Sequence, residues 1–302
     1  MKFYSKLSNH YQGIFFTILS CFFASVLVSL VRHLSTEFHI FFIVMVRNFF
    51  GLLFFLPQIL RSPREIFSTK KPVLHLFRGL NGLASMFSWF YVLTLLPLSE
   101  AVSISFIIPI ITTVAAVVFL KEKVTSKTWI AIATGFIGIL IILRPGFREF
   151  KTAYLFSFLS IFLWLISNLL IKVMTRSEKP KTIVANMSLI MMLFSIPFAL
   201  PYMKAINFEN FLYFALLGLV SNLTHMCIAT SYSKVDLSVL QPFDFMRLIF
   251  TAIISYFAFG EIIDFWVVIG SLVILFGVII SAPKKKAPNI KTIAEINNSL
   301  IT

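Results

Sequence analysis

Long apolar runs separated by short charged clusters make up almost the whole chain. Cutting at the clusters leaves ten runs, approximately 12–31, 38–59, 73–95, 98–120, 126–143, 152–171, 182–203, 208–232, 236–259 and 262–281. A helix that crosses a bilayer needs roughly 20 mostly apolar residues, so each run is predicted to be one spanning helix. The runs are continuous rather than alternating, unlike the roughly ten-residue strands of a membrane β-barrel. The first run follows an arm, Met1 to Tyr11, that carries Lys2 and Lys6. It is too long for the apolar core of a signal peptide and meets no small-residue cleavage site, so it is expected to be retained as the first span.

Composition removes the soluble alternatives. Of 302 residues 59% are hydrophobic and 13% charged, 36 are Phe, and the mean hydropathy is +0.94. A soluble domain is about a quarter charged, and one of this length keeps too much wetted surface to hide so many apolar side chains. Disorder is excluded because disordered chains are poor in aromatics and rich in charge. Cys21 and Cys227 both lie inside apolar runs, with no disulfide framework and no metal-ligand spacing, and read as small packing residues.

A net charge of +14 would by itself suggest nucleic acid. Here the basic residues punctuate apolar runs and act as topology signals instead. Of the 26 Lys and Arg, 18 fall in one alternate set of loops and ends, 5 in the opposite set, and Arg47, Arg78 and Arg247 fall within predicted spans. The richer set is expected to be cytoplasmic, which puts both termini there. The loop from Arg144 to Lys151 runs against this vote. The tail 283–302, with Lys284, Lys285, Lys286 and Lys291, reads as a cytoplasmic stop signal or as a contact for anionic headgroups.

The chain also aligns with itself. A shift of 140 sets Phe16–Phe22 against Phe156–Phe162 and Arg32 against Lys172. A shift of 139 pairs Gly79-Leu80 with Gly218-Leu219, Leu98-Ser99 with Leu237-Ser238, Thr112 with Thr251, Glu122 with Glu261 and Gly138 with Gly277. Residues 1–144 and 152–282 therefore read as two repeats of five spans. Five is odd, so the second repeat is expected to be inserted upside down. The charges agree: Lys121, Lys123 and Lys127 surround one loop, whereas its partner, 260–265, has no Lys or Arg and carries Glu261 and Asp264. Inverted repeats recur in secondary transporters, with the substrate site near mid-membrane between the halves.

Leu96-Pro97-Leu98-Ser99-Glu100-Ala101, Pro109, Phe119-Leu120-Lys121-Glu122, Gly135 and Gly138 resemble the drug/metabolite transporter superfamily of EamA type. Gln241-Pro242-Phe243-Asp244-Phe245-Met246-Arg247, Phe259-Gly260-Glu261, Arg78-Gly79 and Ser88-Trp89-Phe90-Tyr91 are similar to a bacterial branch that includes S-adenosylmethionine uptake transporters. The resemblance covers nearly the whole chain. It implies an all-α membrane protein with ten helices in two inverted five-helix repeats around a central cavity. That branch often carries Tyr and Arg after the proline, where this chain has Phe243 and Asp244.

Ionisable groups inside a membrane are costly and usually face a cavity or a partner. Asp244 and Arg247 lie three apart, hence on one helix face, as an internal ion pair or as a charged cavity wall. Arg47, followed by Asn48, serves either as a helix–helix brace or as a contact for a carboxylate or phosphate, both roles that suit a permanently charged bidentate group. Arg78 either snorkels to headgroups or joins the cavity. Pro242, beside Gln241, and Pro109 each free a backbone carbonyl, a break best tolerated beside a cavity. Trp89, Tyr91 and Trp164 are candidates to stack on a planar or cationic ligand, with Asn168 one turn beyond Trp164. His225 reads as a hydrogen-bonding residue or a proton carrier. Gly135, Gly138, Gly270 and Gly277 read as close-packing positions between spans five and ten, or as a homodimer contact.

The sequence holds no P-loop, no HExxH and no GxSxG, so neither an enzyme nor a self-energised pump is expected, and no cofactor is implied. The expectation is a secondary transporter that moves a small organic metabolite across the inner membrane by alternating access. S-adenosylmethionine uptake is the sharper form, and export of amino acids, amines or drugs the alternative.

Overall fold

The computed structural model describes residues 8–96, 104–105, 107–143, 152–260 and 265–281. The Lys2 and Lys6 arm, Pro97 to Ala101, the Arg144 to Lys151 loop, Glu261, Asp264 and the basic tail lie outside the described residues. Among the described residues the regular structure is helical throughout, with no strand. The helices are α1 (Asn9–Leu34), α2 (Ile40–Phe54), α3 (Leu56–Arg61), α4 (Pro63–Phe67), α5 (Pro72–Leu95), α6 (Ile108–Leu120), α7 (Ser126–Leu143), α8 (Thr152–Met174), α9 (Pro180–Ala199), α10 (Phe208–Lys234), α11 (Leu237–Asp244), α12 (Met246–Phe259) and α13 (Phe265–Ser281). Five of the described helical stretches are long and apolar enough to cross a bilayer: Asn9–Leu34, Thr152–Met174, Pro180–Tyr202, Phe208–Lys234 and Leu237–Ala258.

Local chemistry explains the helix ends. Proline occupies the first turn of α3, α4, α5, α6 and α9, where its missing N–H has no intrahelical acceptor to lose. The Asn207 side chain caps α10 by accepting from the Asn210 amide at 2.7 Å. The α6 and α12 helices both end in a left-handed residue, Lys121 (φ 57°) and Gly260 (φ 65°), and these two positions are 139 apart in sequence. Two predicted spans are interrupted. The run 38–59 divides at Phe55 and the run 236–259 divides at Phe245. The second break follows from Pro242, which cannot donate to the carbonyl one turn earlier. Pro109, expected to break its span from within, stands in the first turn of α6.

The surface is apolar, and buried polar residues lie among the apolar core. Large apolar side chains such as Phe119, Phe257 and Ile279 face outward, while Ser25, Thr112, Ser157, Ser195 and Ser231 have no accessible surface. Lipid offers no hydrogen bonds, so polar groups gather between helices, where many of them satisfy one another or a backbone carbonyl. Thr17 Oγ1 lies 2.6 Å from Ser231 Oγ, and Ser231 Oγ donates to the Gly13 carbonyl at 2.8 Å, joining α1 to α10. Asn81 Nδ2 donates to the Leu163 carbonyl at 2.8 Å and to Ser167 Oγ at 2.9 Å, joining α5 to α8.

The main packing pairs cross between the halves of the chain. The α1 helix packs on α10 and α12, α8 packs on α5 and α6, α2 packs on α9 and α10, and α9 packs on α5. The α6–α11 and α7–α13 pairs cross as well. In the last pair small residues let backbones meet. A Cβ on Gly138 would lie 2.7 Å from the Gly270 carbonyl oxygen, and one on Gly277 would lie 2.9 Å from the Ala131 carbonyl oxygen. These glycines are covered within the chain, which favours their reading as intramolecular packing positions.

Ionic ties hold both ends of the bundle. At one end Glu178 pairs with His75 and accepts from Thr69, Lys181 Nζ stands 2.8 Å from Glu65, and Glu122 accepts from the amides of Leu237 and Ser238 at 2.9 and 2.8 Å. The last contact ties the end of α6 to the start of α11. At the opposite end Glu37 accepts from Asn210 Nδ2 at 2.8 Å and from Lys204 Nζ at 3.1 Å. These two contacts, Asn210 first and then Lys204, hold the Glu37 carboxyl below its ordinary value.

Two outcomes follow. Gly138→Val should destabilise the protein by about 1–3 kcal/mol, the usual scale of core overpacking, seen as a lowered unfolding temperature in detergent. Because the folded-state value of Glu37 is depressed, its contribution is present above the ordinary value of 4.5 and disappears as pH falls through the lower folded value. Wild type should therefore lose unfolding temperature relative to Glu37→Gln in that acid range, and parallel profiles would refute the link.

Candidate functional site

A cavity of about 130 Å³ lies among α1, α2, α5, the start of α6, α8, α9, α10 and the α11–α12 junction. It has room for roughly ten waters at ~10–15 Å³ each, or for a small polar molecule in their place. The helices α7 and α13 contribute nothing to its wall.

Nine of the eleven sequence-predicted residues meet at this cavity: Arg47, Arg78, Trp89, Trp164, Asn168, His225, Gln241, Asp244 and Arg247. Arg78 is 2% exposed and faces the cavity rather than the headgroups. Asn48 stands behind the wall. Its Oδ1 accepts from Arg47 Nη2 at 2.9 Å while its Nδ2 donates to the Val44 carbonyl at 2.8 Å, so it orients the guanidinium. Tyr91 lies outside the cavity. It is 39% exposed and rests edge-on against Phe156, with ring centroids 5.0 Å apart. Two residues advance a helix by roughly 200°, so Tyr91 points away from the side that Trp89 occupies.

The wall has two poles. One carries Arg47, Arg78 and His225, and the His225 ring sits 6.1 Å from that of Trp164. At the other, Arg247 Nη2 lies 3.7 Å from Asp244 Oδ2, with the two side chains 17% and 26% exposed. The ion pair and the charged wall are thus the same feature. Cys21 reaches this pole through its thiol, 3.6 Å from Asp244 Oδ1 and 3.7 Å from the Phe243 and Asp244 carbonyls. Ser25 Oγ and Thr251 Oγ1 donate to the Arg247 carbonyl at 3.0 and 2.8 Å. Side chains of α1 and α12 therefore satisfy carbonyls around the junction, as a broken helix in a membrane requires.

Sequence reasoning missed Ser20, Cys21, Ser85, Ser160, Ser167 and Tyr232, all in the wall. One signal was available. The shift of 140 that aligns the halves also pairs wall residues: Ser20 with Ser160, Cys21 with Ile161, Ala24 with Trp164, Leu27 with Ser167 and Val28 with Asn168. The shift of 139 does the same for Ser85 with Thr224, Met86 with His225, Ser105 with Asp244 and Ile108 with Arg247. Positions repeat while chemistry diverges. In most of these pairs the more polar or aromatic member lies in the second half.

The EamA-like transporter family matches residues 11–144 and again 151–282. An "S-adenosylmethionine uptake transporter" of Rickettsia prowazekii (strain Madrid E) is 28% identical over 270 residues, 89% of this chain and 92% of that protein. A "Riboflavin transporter" of Brucella anthropi is 30% identical over 224 residues, 72% of this chain and 79% of that one. A solved structure described as "Crystal structure of protein" superposes with a TM-score of 0.73 at 15% identity, over 91% of this chain and 96% of that one. That likeness concerns the fold alone.

The Asp244–Arg247 pair has a measurable signature. Breaking one member leaves its partner unpaired, at about 3–5 kcal/mol when fully buried; partial exposure here reduces that cost through solvent screening. Asp244→Asn should lower the unfolding temperature more than Asp244→Asn combined with Arg247→Gln. Strict additivity of the two changes would contradict the coupling.

Proposed function

The chain belongs to the EamA-like transporter family, and from that premise we propose that it is a secondary transporter carrying a small organic metabolite across the inner membrane by alternating access. The observation that carries this reading is the cavity, polar and charged, walled by helices of both halves inside an apolar exterior. Binding at the boundary of two halves lets their relative movement expose the same site to either side. The sequence has no nucleotide-binding motif, so the energy comes from substrate or ion gradients.

In this reading the ten apolar runs are ten spans and the second half is an inverted copy of the first. Support comes from the cavity positions that repeat at shifts of 139 and 140. Further support comes from packing that survives exchange of the halves: α1 with α10 corresponds to α8 with α5, and α1 with α12 to α8 with α6. The distribution of Lys and Arg supports a cytoplasmic position for both termini.

The finer reading is uptake of S-adenosylmethionine. Four Rickettsia relatives carrying that name match 89–94% of the chain, whereas three riboflavin transporters match 70–72%. The chemistry of the wall supports this reading: it carries Trp89 and Trp164, which could stack on a purine, and Asp244, a carboxylate that could pair with a sulfonium.

Purified protein in liposomes should take up labelled S-adenosylmethionine saturably, and Asp244→Asn should reduce uptake at least about tenfold, a loss of about 1.4 kcal/mol. Uptake of riboflavin, or of an amino acid, amine or drug, in its place would replace the finer reading and keep the general one. Folded protein that moves no member of a broad metabolite panel would overturn both.

A further inference from the structure

The two arginines of the first half present an electrostatic problem that the protein does not solve alone. Arg47 is 3% exposed and Arg78 2%. The Nε of each is buried without a hydrogen-bond partner among the described residues. The Arg47 bond to Asn48 goes to a neutral amide, and no described carboxylate pairs with either guanidinium. Asp244, the acid in the cavity wall, already faces Arg247 at 3.7 Å. The excess positive charge of the cavity therefore sits at the Arg47–Arg78 pole. Guanidiniums cannot escape by losing a proton at ordinary pH, and burying them without a counter-charge is expensive.

We propose that Arg47 and Arg78, with Asn168 and His225 in the same cavity wall, form the receptor for a carboxylate group of the cargo. A planar guanidinium matches a carboxylate by two parallel hydrogen bonds, and two guanidiniums on neighbouring helices supply donors to both oxygens. Asn168 Oδ1 and His225 Nδ1 are also buried and unbonded among the described residues. The amide oxygen is an acceptor lacking a donor, which suits an N–H or O–H carried next to the carboxylate. The ligand class is thus an α-amino or α-hydroxy carboxylate, alone or as the end of a larger molecule. Arg47 and Arg78 belong to the first half and Asn168 and His225 to the second, so a bound carboxylate links the two halves. The inference deepens the transport reading and rests on it for the passage of the cargo, though binding can be measured without transport.

The test uses full-length protein in detergent, with thermal unfolding and calorimetry as readouts. The probes are paired by one group: S-adenosylmethionine against its decarboxylated form, and methionine against its decarboxylated amine. In at least one pair the carboxylate-bearing member should bind at least tenfold tighter, and Arg47→Gln or Arg78→Gln should bring that ratio close to one. Arg47→Lys and Arg78→Lys keep the charge and should retain part of the preference, which separates loss of the receptor from loss of folding. A further arm replaces chloride with acetate or inorganic phosphate at constant ionic strength. Acetate should raise the unfolding temperature of wild type saturably and leave the Arg47→Gln/Arg78→Gln double variant unmoved. Equal responses of wild type and double variant, or no carboxylate preference in either pair, would overturn the proposal, as would stabilisation by phosphate without acetate. Transport that persists without carboxylate preference would sink the receptor and leave the transport reading standing. Carboxylate binding without transport would do the reverse.

Discussion

Lipid cannot form hydrogen bonds, and nearly every other feature of this protein answers to that constraint. Backbone groups must be satisfied within helices, so the described regular structure is helical throughout. Side-chain polar groups must find partners between helices, so serine, threonine and asparagine sit in the interior among apolar side chains, while the outer surface is apolar. Where a helix breaks, at the α11–α12 junction, donors from Cys21, Ser25 and Thr251 are waiting for its carbonyls. The same accounting gives meaning to what is left unpaired. Among the described residues, Arg47, Arg78, Asn168 and His225 each have a buried polar atom without a partner, and all four line the cavity, where a ligand can supply one.

The bundle is held in two different ways. The α7 and α13 helices approach through glycine backbones and take no part in the cavity. The remaining helices meet through side-chain hydrogen bonds around the cavity and through ionic ties at either end. Close glycine packing is rigid because any added atom strikes backbone. Exposed ionic ties such as Lys204–Glu37 are weaker and exchangeable. A closely packed pair thus stands beside a cavity whose surrounding helices are joined mainly by side-chain ties.

Much of the site was legible before any coordinates. Asp244, Arg247, Arg47 and Arg78 stood out because charge in an apolar run demands a reason, and all four line one cavity. Asn48 and Tyr91 stood beside true wall residues in sequence but turn to other surroundings, since helical angle rather than proximity decides what a side chain faces. The wall serines were overlooked because single hydroxyls are commonplace in membrane helices, where they bond their own backbone. Only pairing across the repeat, as with Ser20 and Ser160, could have distinguished them.

The sequence by itself determined that the chain lives in a membrane, where its apolar runs begin and end, and that its halves are related. These properties depend on composition and spacing, which lipid reads segment by segment. The tertiary structure decided which faces meet. It brought Arg47, Arg78 and His225 to one cavity, opposed Asp244 to Arg247 across the α11–α12 break, and turned Tyr91 outward. Those outcomes depend on how helices from the two halves rotate and cross, and that is fixed by many small contacts between residues far apart in the chain.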